Sequence, residues 1–347
     1  MKKQWTSGSW LPSELTSEIL LRLPAKSVGR FRCVSKLWLS ITTDPCFIKS
    51  FGTTRPSLIL CSIKGHDMFV TPSIRSYSSS QPIHRYPMKV PGEHCDFSSI
   101  DSVHGLICIE DVDSKMPRVW NPTTGQFLPL PKPNMSSRHV NVFLGYDPVE
   151  GKHKVVCLPY KKTCYVCRVF TLGSGQESWR TVKTNLKHRC CGHASGQCIK
   201  GVIYYLASSN QWDDTVIMSF DVRSEIFRMI ELPSRIHDDV LITYEGRLAC
   251  IDEDNDKRLW SLEDADKHKW SFQDFLSPLH GLFELQGSTH AGEFIYVPFN
   301  FPKPPDIEVF DPVRNTRKRF KFEGILDKEL GHNVKAFPNH IESLMPL

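Results

Sequence analysis

The sequence predicts a small N-terminal α-helical domain followed by an all-β domain, most simply a β-propeller of about six blades. Three observations carry this. Apolar residues between 11 and 47 recur at helical spacing. Beyond about residue 55 the chain changes to short β-branched and aromatic runs cut by Gly, Pro, Asn and Asp. Within that β region a glycine that opens an apolar strand returns every ~45 to 50 residues, the length of a four-stranded blade. A β-sandwich made of the same strands is the alternative, because period alone does not show curvature. The expected boundaries are a helical domain at 8–52, a linker with an irregular first β unit at 53–94, and the main β domain at 95–347.

In the first helix Leu11, Leu15, Ile19, Leu20 and Leu23 follow the helical repeat. Pro12 sits in its first turn, where a missing amide donor costs nothing, and Pro24 stops it. A second run places Val28, Phe31, Val34, Trp38 and Ile41 on one stripe, and Asp44-Pro45 reads as a cap with proline at N1 for a third helical turn carrying Phe47 and Phe51. Cys33, Leu37 and Leu39 lie off that stripe, so the helices are apolar on more than the face needed to pack on themselves. Domains of ~40 residues rarely bury enough surface alone, which points to docking on another molecule.

Charge sharpens the choice of partner. Residues 1–55 carry nine Lys or Arg against three acids, a net +6, whereas the whole chain is +5, leaving −1 for the other 292 residues. A basic hairpin favours an acidic partner, either nucleic acid or an acidic protein surface. The would-be recognition helix offers Phe31, Cys33, Val34, Leu37, Trp38 and Leu39, with little of the Asn, Gln or Arg chemistry that reads base edges. Protein docking is the expectation, with a DNA-binding hairpin or an inert cap as the alternatives.

Composition bounds the remainder. The 347 residues are 40% hydrophobic and 23% charged. Arg22 interrupts the longest apolar stretch well short of the ~18 residues a membrane span needs. The segment Met1 to Ser9 lacks the apolar centre of a signal peptide, so the 12 cysteines are expected as buried thiols in the cytoplasm or nucleus.

The blade repeat begins at Gly105 and recurs at Gly151, Gly201, Gly246 and Gly292. An aromatic follows each by 14 to 19 residues, at Trp120, Phe170, Phe220, Trp260 and Phe310, and ends a strand at a turn. Asn121-Pro122-Thr123-Thr124-Gly125, Asp221-Val222-Arg223-Ser224 and Asp311-Pro312-Val313-Arg314-Asn315 are sequences that pre-set tight reversals. A further strand then carries Phe127, Trp179, Phe227, Trp270 or Phe320. Five blades are legible; an irregular sixth around Ser57 to Tyr86 is expected to be closed by residues after Gly331. One blade cannot bury both of its faces, so neighbours must stack in a ring.

Catalytic patterns mostly fail. Gly192-His193-Ala194-Ser195-Gly196 places serine one position too late for a nucleophile elbow, and no phosphate-binding Gly-Lys-Thr loop occurs. Cys164 and Cys167, near Cys157, His188, Cys190, Cys191, His193 and Cys198, hold a Cys-x-x-Cys pair, but their later spacing is irregular and thiols filling core gaps are favoured over zinc. Asp252, Asp254, Asp256 and Glu263 mimic a calcium loop, yet Lys257 stands where the turn needs glycine. Neither metal nor cofactor is expected. Arg314, Arg317, Lys318, Arg319 and Lys321 alternate with Phe320 and Phe322, the pattern of an outer strand with one charged face. Trp212 and Asp213, in a hydrophilic loop, are the candidate contacts for a target protein. A propeller enzyme would need convergent polar groups on its inner strands, and the candidates there, Ile107, Ile203, Leu248 and Phe294, are apolar.

Leu-Pro-x-Glu-Leu at 11–15, Ile19, Leu23-Pro24, Phe31-Arg32-Cys33-Val34-Ser35-Lys36-x-Trp38, Asp44-Pro45 and Phe47 together resemble an F-box. The resemblance implies docking onto a Skp-type adaptor and through it onto a cullin-RING ubiquitin ligase. Carried over position by position, it places Leu11, Pro12, Leu15, Ile19, Leu23, Cys33, Val34, Lys36 and Trp38 at or directly under the adaptor contact. His104-Gly105-Leu106-Ile107, Val119-Trp120-Asn121-Pro122-Thr123-Thr124-Gly125 and Leu144-Gly145-Tyr146-Asp147-Pro148 resemble the kelch-like F-box-associated domain of large plant F-box families, without the paired-glycine kelch signature. That domain is taken to bind the protein destined for ubiquitination, which makes the expected function that of a non-catalytic substrate receptor, or of an adaptor-bound scaffold.

Overall fold

The computed structural model describes residues 11–51, 56–64, 67–71, 86–89, 95–97, 102–111, 116–135, 140–160, 162–175, 178–191, 196–209, 215–252, 258–274, 283–298, 306–321 and 334–347. Four helices come first: α1 (Ser13–Leu21), α2 (Ala25–Phe31), α3 (Lys36–Thr43) and α4 (Pro45–Phe51). Pro12 and Pro24 precede α1 and α2 as N-caps in extended backbone, and the Asp44 carboxylate accepts from the amides of Cys46 and Phe47 at the start of α4. The expected stripe from Val28 to Ile41 is not one helix. Ser35 takes the N-cap of α3 by accepting from the Trp38 amide at 3.1 Å, so the chain turns at residues 32–34 and Val34 leaves the stripe for solvent.

Strands follow in chain order: β1 (Pro56–Lys64), β2 (Asp67–Val70), β3 (Tyr86–Lys89), β4 (Cys95–Asp96), β5 (Ile107–Asp111), β6 (Pro117–Asn121), β7 (Gln126–Pro129), β8 (Val140–Asp147), β9 (Lys152–Pro159), β10 (Thr163–Thr171), β11 (Arg180–Cys190), β12 (Gln197–Ile199), β13 (Val202–Ser208), β14 (Thr215–Asp221), β15 (Phe227–Ile230), β16 (Ile236–Tyr244), β17 (Arg247–Asp252), β18 (Arg258–Asp264), β19 (Lys269–Asp274), β20 (Phe283–Ser288), β21 (Phe294–Pro298), β22 (Asp306–Asp311), β23 (Thr316–Lys321) and β24 (Val334–Ile341). Among the described residues they group into six antiparallel four-stranded units. Units two to six are consecutive, β4–β7, β8–β11, β12–β15, β16–β19 and β20–β23; the third and fourth fuse into one sheet where the end of β11 pairs with β13. The first unit is β24-β1-β2-β3, so the last strand of the chain lies beside the first and clasps the circle.

Apolar packing decides between ring and sandwich. The first and second units share Ile59, Met68, Ile107, Trp120 and Phe337, while the second, third and fourth share one large cluster around Cys108, Phe143, Cys157 and Tyr205. The fourth meets the fifth through Leu206, Ile217, Leu248 and Cys250, and the fifth meets the sixth through Tyr244, Leu259, Phe294 and Phe310. The sixth closes on the first through Ile295, Val309, Leu58 and Ala336. Each sheet therefore covers a face of its neighbour all the way round, which is a propeller.

Local turn chemistry repeats with the blades. In five hairpins Asn121, Asp147, Asp221, Asp264 or Asp311 caps amides two or three residues ahead with its Oδ1, and the chain leaves through a residue of positive φ at Gly125, Gly151, Glu225, His268 or Asn315. Trp179 and Trp270 are equivalent, as expected: each indole N–H donates to a carbonyl just past the preceding blade's outer strand, Pro131 or Glu231. The aromatic pairing is less regular. Trp120 faces Phe127 and Phe220 faces Phe227, but Trp260 faces Phe272, and Phe310 faces Arg317.

One expectation is overturned. Ile107, Ile203, Leu248 and Phe294 lie on β5, β13, β17 and β21, the second strand of each blade; the innermost strands are β4, β8, β12, β16, β20 and β24. These do carry polar groups. Thr243 donates to Gln197 at 2.9 Å, Ser288 donates to the Thr243 carbonyl at 2.6 Å, and the Asn339 amide donates to the Ser288 carbonyl at 2.8 Å. Side chains on β12, β16, β20 and β24 are thus laced strand to strand across four blades.

Candidate adaptor-docking surface

Helix α1 is amphipathic in an unusual sense. Leu20 and Thr16 point into the helical core, while Leu11, Leu15 and Ile19, spaced four apart, form a ridge in solvent, with Leu15 51% and Ile19 48% exposed. Val34, in the turn between α2 and α3, is 59% exposed and Leu39 on α3 is 44% exposed. Pro12, Cys33 and Lys36 are exposed as well. Leu23 and Trp38 are only half-buried at the edge of the core, where the Trp38 ring meets Phe31 edge to face at 5.2 Å. Of the nine residues singled out in the sequence, seven are open to solvent and two support them from below. Leu39 was not among them; its position off the expected stripe was the available signal.

Beneath this surface, Leu20, Ala25, Val28, Phe47 and Phe51 close around a residue from the far end of the chain. Leu344 is only 2% exposed and belongs to the same cluster. The Ala25 amide also donates to the Glu342 carboxylate at 3.3 Å. The segment bearing these residues is itself fastened to the second blade. Asn121 Nδ2 donates to the carbonyls of Ser343 and Met345 at 3.1 and 2.9 Å, and the Ser343 amide donates to Thr123 Oγ1 at 3.0 Å. The Asn-Pro-Thr-Thr-Gly turn therefore uses one Asn side chain twice, its Oδ1 shaping the turn and its Nδ2 holding the tail. Gly105 completes the seat: its φ is +84°, and a Cβ there would lie 2.5 Å from both the Ile341 carbonyl oxygen and Ser343 Cβ. The helical domain rests on the propeller through residues 342–347, a contact that no local pattern signals.

Other candidates resolve as structure. Cys157, Cys164, Cys167 and Cys190 line the large core, where burial raises their thiol pKa values, Cys164 to about 11 and Cys167 to about 12. His188 donates from Nδ1 to the Leu186 carbonyl and accepts at Nε2 from the Tyr205 hydroxyl, so both ring nitrogens are engaged within the protein. Asp252 accepts from Trp260 Nε1 and Ser234, and Glu263 pairs with Lys269. Arg317 and Arg319 converge on the fully buried Glu308 carboxylate, and Lys318 reaches Glu293. Phe320 is buried beneath them, the amphipathic strand expected. No group of three or more potential metal ligands occurs among the described residues. Among them, too, no helix is long and apolar enough to cross a membrane. Trp212, Asp213, His193, Asp254 and Asp256 lie outside the described residues.

An exposed apolar ridge on a four-helix module, mounted on a six-bladed propeller, defines a class of two-part interaction proteins. Family models agree with this division, matching residues 9–50 as an F-box domain and residues 57–341 as an F-box associated beta propeller domain. Two putative F-box proteins of Arabidopsis thaliana are each 50% identical to it, over 99% and 98% of this chain and 94% of their own lengths. A third relative from the same plant, an F-box protein, is 38% identical over 97% of this chain and 93% of its own. The chain belongs to the plant F-box proteins that carry an F-box associated propeller.

Proposed function

We propose that this protein is the substrate-recognition subunit of an SCF-type ubiquitin ligase, in which the helical module docks on a Skp-type adaptor and the propeller holds the protein to be ubiquitinated. The observation that carries this is the solvent-facing ridge of Leu11, Leu15, Ile19, Val34 and Leu39. A domain of this size gains by covering such a surface, and the ridge lies on residues that match the F-box pattern. Lys36 and the net positive charge of the first 55 residues favour approach of an acidic adaptor face.

The mechanism is proximity. A receptor that holds target and ubiquitin-charged conjugating enzyme on one scaffold raises their effective concentration and performs no bond chemistry itself. Firm seating of the helical module on the propeller through Leu344 and Asn121 supports that role, since a fixed geometry narrows where the target's lysines fall. No cofactor or metal enters this scheme, and the working compartment is cytoplasm or nucleus.

Co-expression with a Skp-type adaptor followed by size-exclusion chromatography tests the first half; a single co-eluting complex is expected, and separate elution would remove the proposal. The second half separates degradation from scaffolding. A captured partner that falls in abundance when this protein accumulates, and recovers under proteasome inhibition, identifies a ligase receptor; a partner of constant abundance identifies an adaptor-bound scaffold.

A further inference from the structure

We propose that the outer hairpin of the third blade, β10–β11, is a docking face for an acidic, extended segment of the target protein. This deepens the receptor function proposed above and rests on it.

Charge is the first ground. Residues 161–200 hold eight Lys or Arg against one Glu, a net +7, in a chain whose total is only +5. With +6 on residues 1–55, everything else sums to −8, so the basic charge of the propeller is concentrated on the third blade, with Lys200 in the first turn of the fourth. The second ground is geometry. One face of the hairpin is core, formed by Cys164, Cys167 and Val169. The opposite side presents Thr163, Tyr165, Val166, Lys183, Lys187 and Arg189 to solvent, with Thr163 opposite Arg189 and Val166 opposite Lys183 in register. Lys187 Nζ sits 5.8 Å above the Tyr165 ring, which is 52% exposed.

The third ground is what these cations are already doing. Arg168 is committed to the Asn134 carbonyl and Thr181, and Arg180 to the carboxylate of Glu225. Among the described residues no acidic side chain pairs with Lys183 or Lys187. Like charges grouped on one sheet face repel, and a partner rich in carboxylates relieves that repulsion. Tyr165 and Val166 add an apolar seat between the ammonium groups, which an aliphatic side chain of the same segment can cover. Single-stranded nucleic acid fits less well. It uses rows of aromatic rings, and this face has one, already covered by Lys187. Two of the arginine forks that could read bases, Arg168 and Arg180, are engaged within the fold.

The test uses the full chain in complex with its adaptor and fluorescence anisotropy of labelled short peptides, one repeating Glu-Glu-Leu and the other Gln-Gln-Leu, with polyuridine RNA as competitor. The Glu peptide is expected to bind, to weaken steeply between about 0.05 and about 0.3 M salt, and to lose at least ~tenfold affinity when Lys183→Glu and Lys187→Glu are combined. Both positions are exposed, so the variant is expected to melt and to co-elute with adaptor as the unchanged protein does. Equal affinity for the Gln peptide, indifference to the double reversal, or tighter binding of the RNA overturns the proposal. Loss of adaptor co-elution from the unchanged protein would strike the receptor function instead, leaving the peptide result to be read separately.

Discussion

Leu344→Ala probes how the two domains are joined. The side chain is 2% exposed inside a cluster made otherwise by α1, α2 and α4, so its truncation removes apolar contact from the helical core and leaves a cavity there. Leu→Ala at buried sites costs about 2–5 kcal/mol. A contact at the end of a short tail, free to relax, falls in the lower half of that range, about 3 kcal/mol, or roughly a hundredfold rise in the population of the opened module. Hydrogen exchange read by mass spectrometry is the assay, because it separates helices from blades. Amides of α1 to α4 should exchange roughly a hundredfold faster, blade amides should keep their rates, and adaptor capture should persist, since Leu15, Ile19 and Val34 are not part of the Leu344 cluster. Unchanged helix exchange would refute the idea that residues 342–347 fasten the helical module to the propeller.

Gly105→Ala attacks the same joint from the blade side. A φ of +84° together with 2.5 Å approaches to Ile341 O and Ser343 Cβ leaves no room for a methyl group, so the tail must shift. A loss of at least about 2 kcal/mol is expected in chemical denaturation, against about 1 kcal/mol for Gly173→Ala, where φ is +65° but the surroundings are open, so that only the left-handed backbone is strained. The pH profile follows from three buried neutral histidines, His153, His188 and His340, each held below the usual imidazole value by burial. Burial holds His153 down to about 4 and His340 down to about 3, whereas both titrate near 6.5 in an unfolded chain. Between those values the unfolded state binds more protons, so stability is full above about pH 6.5 and falls as pH drops toward 4. Melting temperature measured from pH 8 to pH 4 should show this acid limb, and His340→Asn should flatten it; a limb of unaltered slope would rule out His340 as a contributor. Asn121→Ala should release the tail without unfolding the blade, seen as faster proteolytic trimming of the last six residues; an unchanged trimming rate would count against its second role.

What could be read in the sequence was whatever is encoded locally. The Asx turns that end the third strand of four blades, the glycines between strands and the proline-bounded start of α1 each occupy a handful of consecutive residues. Innermost strands escaped because two are very short, Cys95–Asp96 and Gln197–Ile199, so strict alternation has no length over which to show. The sequence ladder accordingly reads one strand too far in. A three-residue turn nearly preserves helical phase, so Val34 reads as part of a continuous stripe; only the Ser35 cap reveals the break. Leu344 was invisible for a different reason, since it meets Leu20 across more than 300 residues and no periodicity links them. The exposed apolar ridge itself is legible, because its residues are apolar where a self-sufficient helix would be polar.

Titration calorimetry of a purified Skp-type adaptor into the full chain, compared with the Leu15→Asp, Val34→Asp variant, tests the central claim most directly. Both side chains are exposed, so the exchange should change stability by no more than about 0.5 kcal/mol per site. Each occupies the proposed contact, where buried apolar anchors are worth about 2 kcal/mol or more, so affinity should fall at least a hundredfold. Tight binding by the unchanged protein and none by the variant, at equal melting temperature, is the predicted result. Equal affinity for both would mean that the exposed ridge of this F-box is not what the adaptor covers.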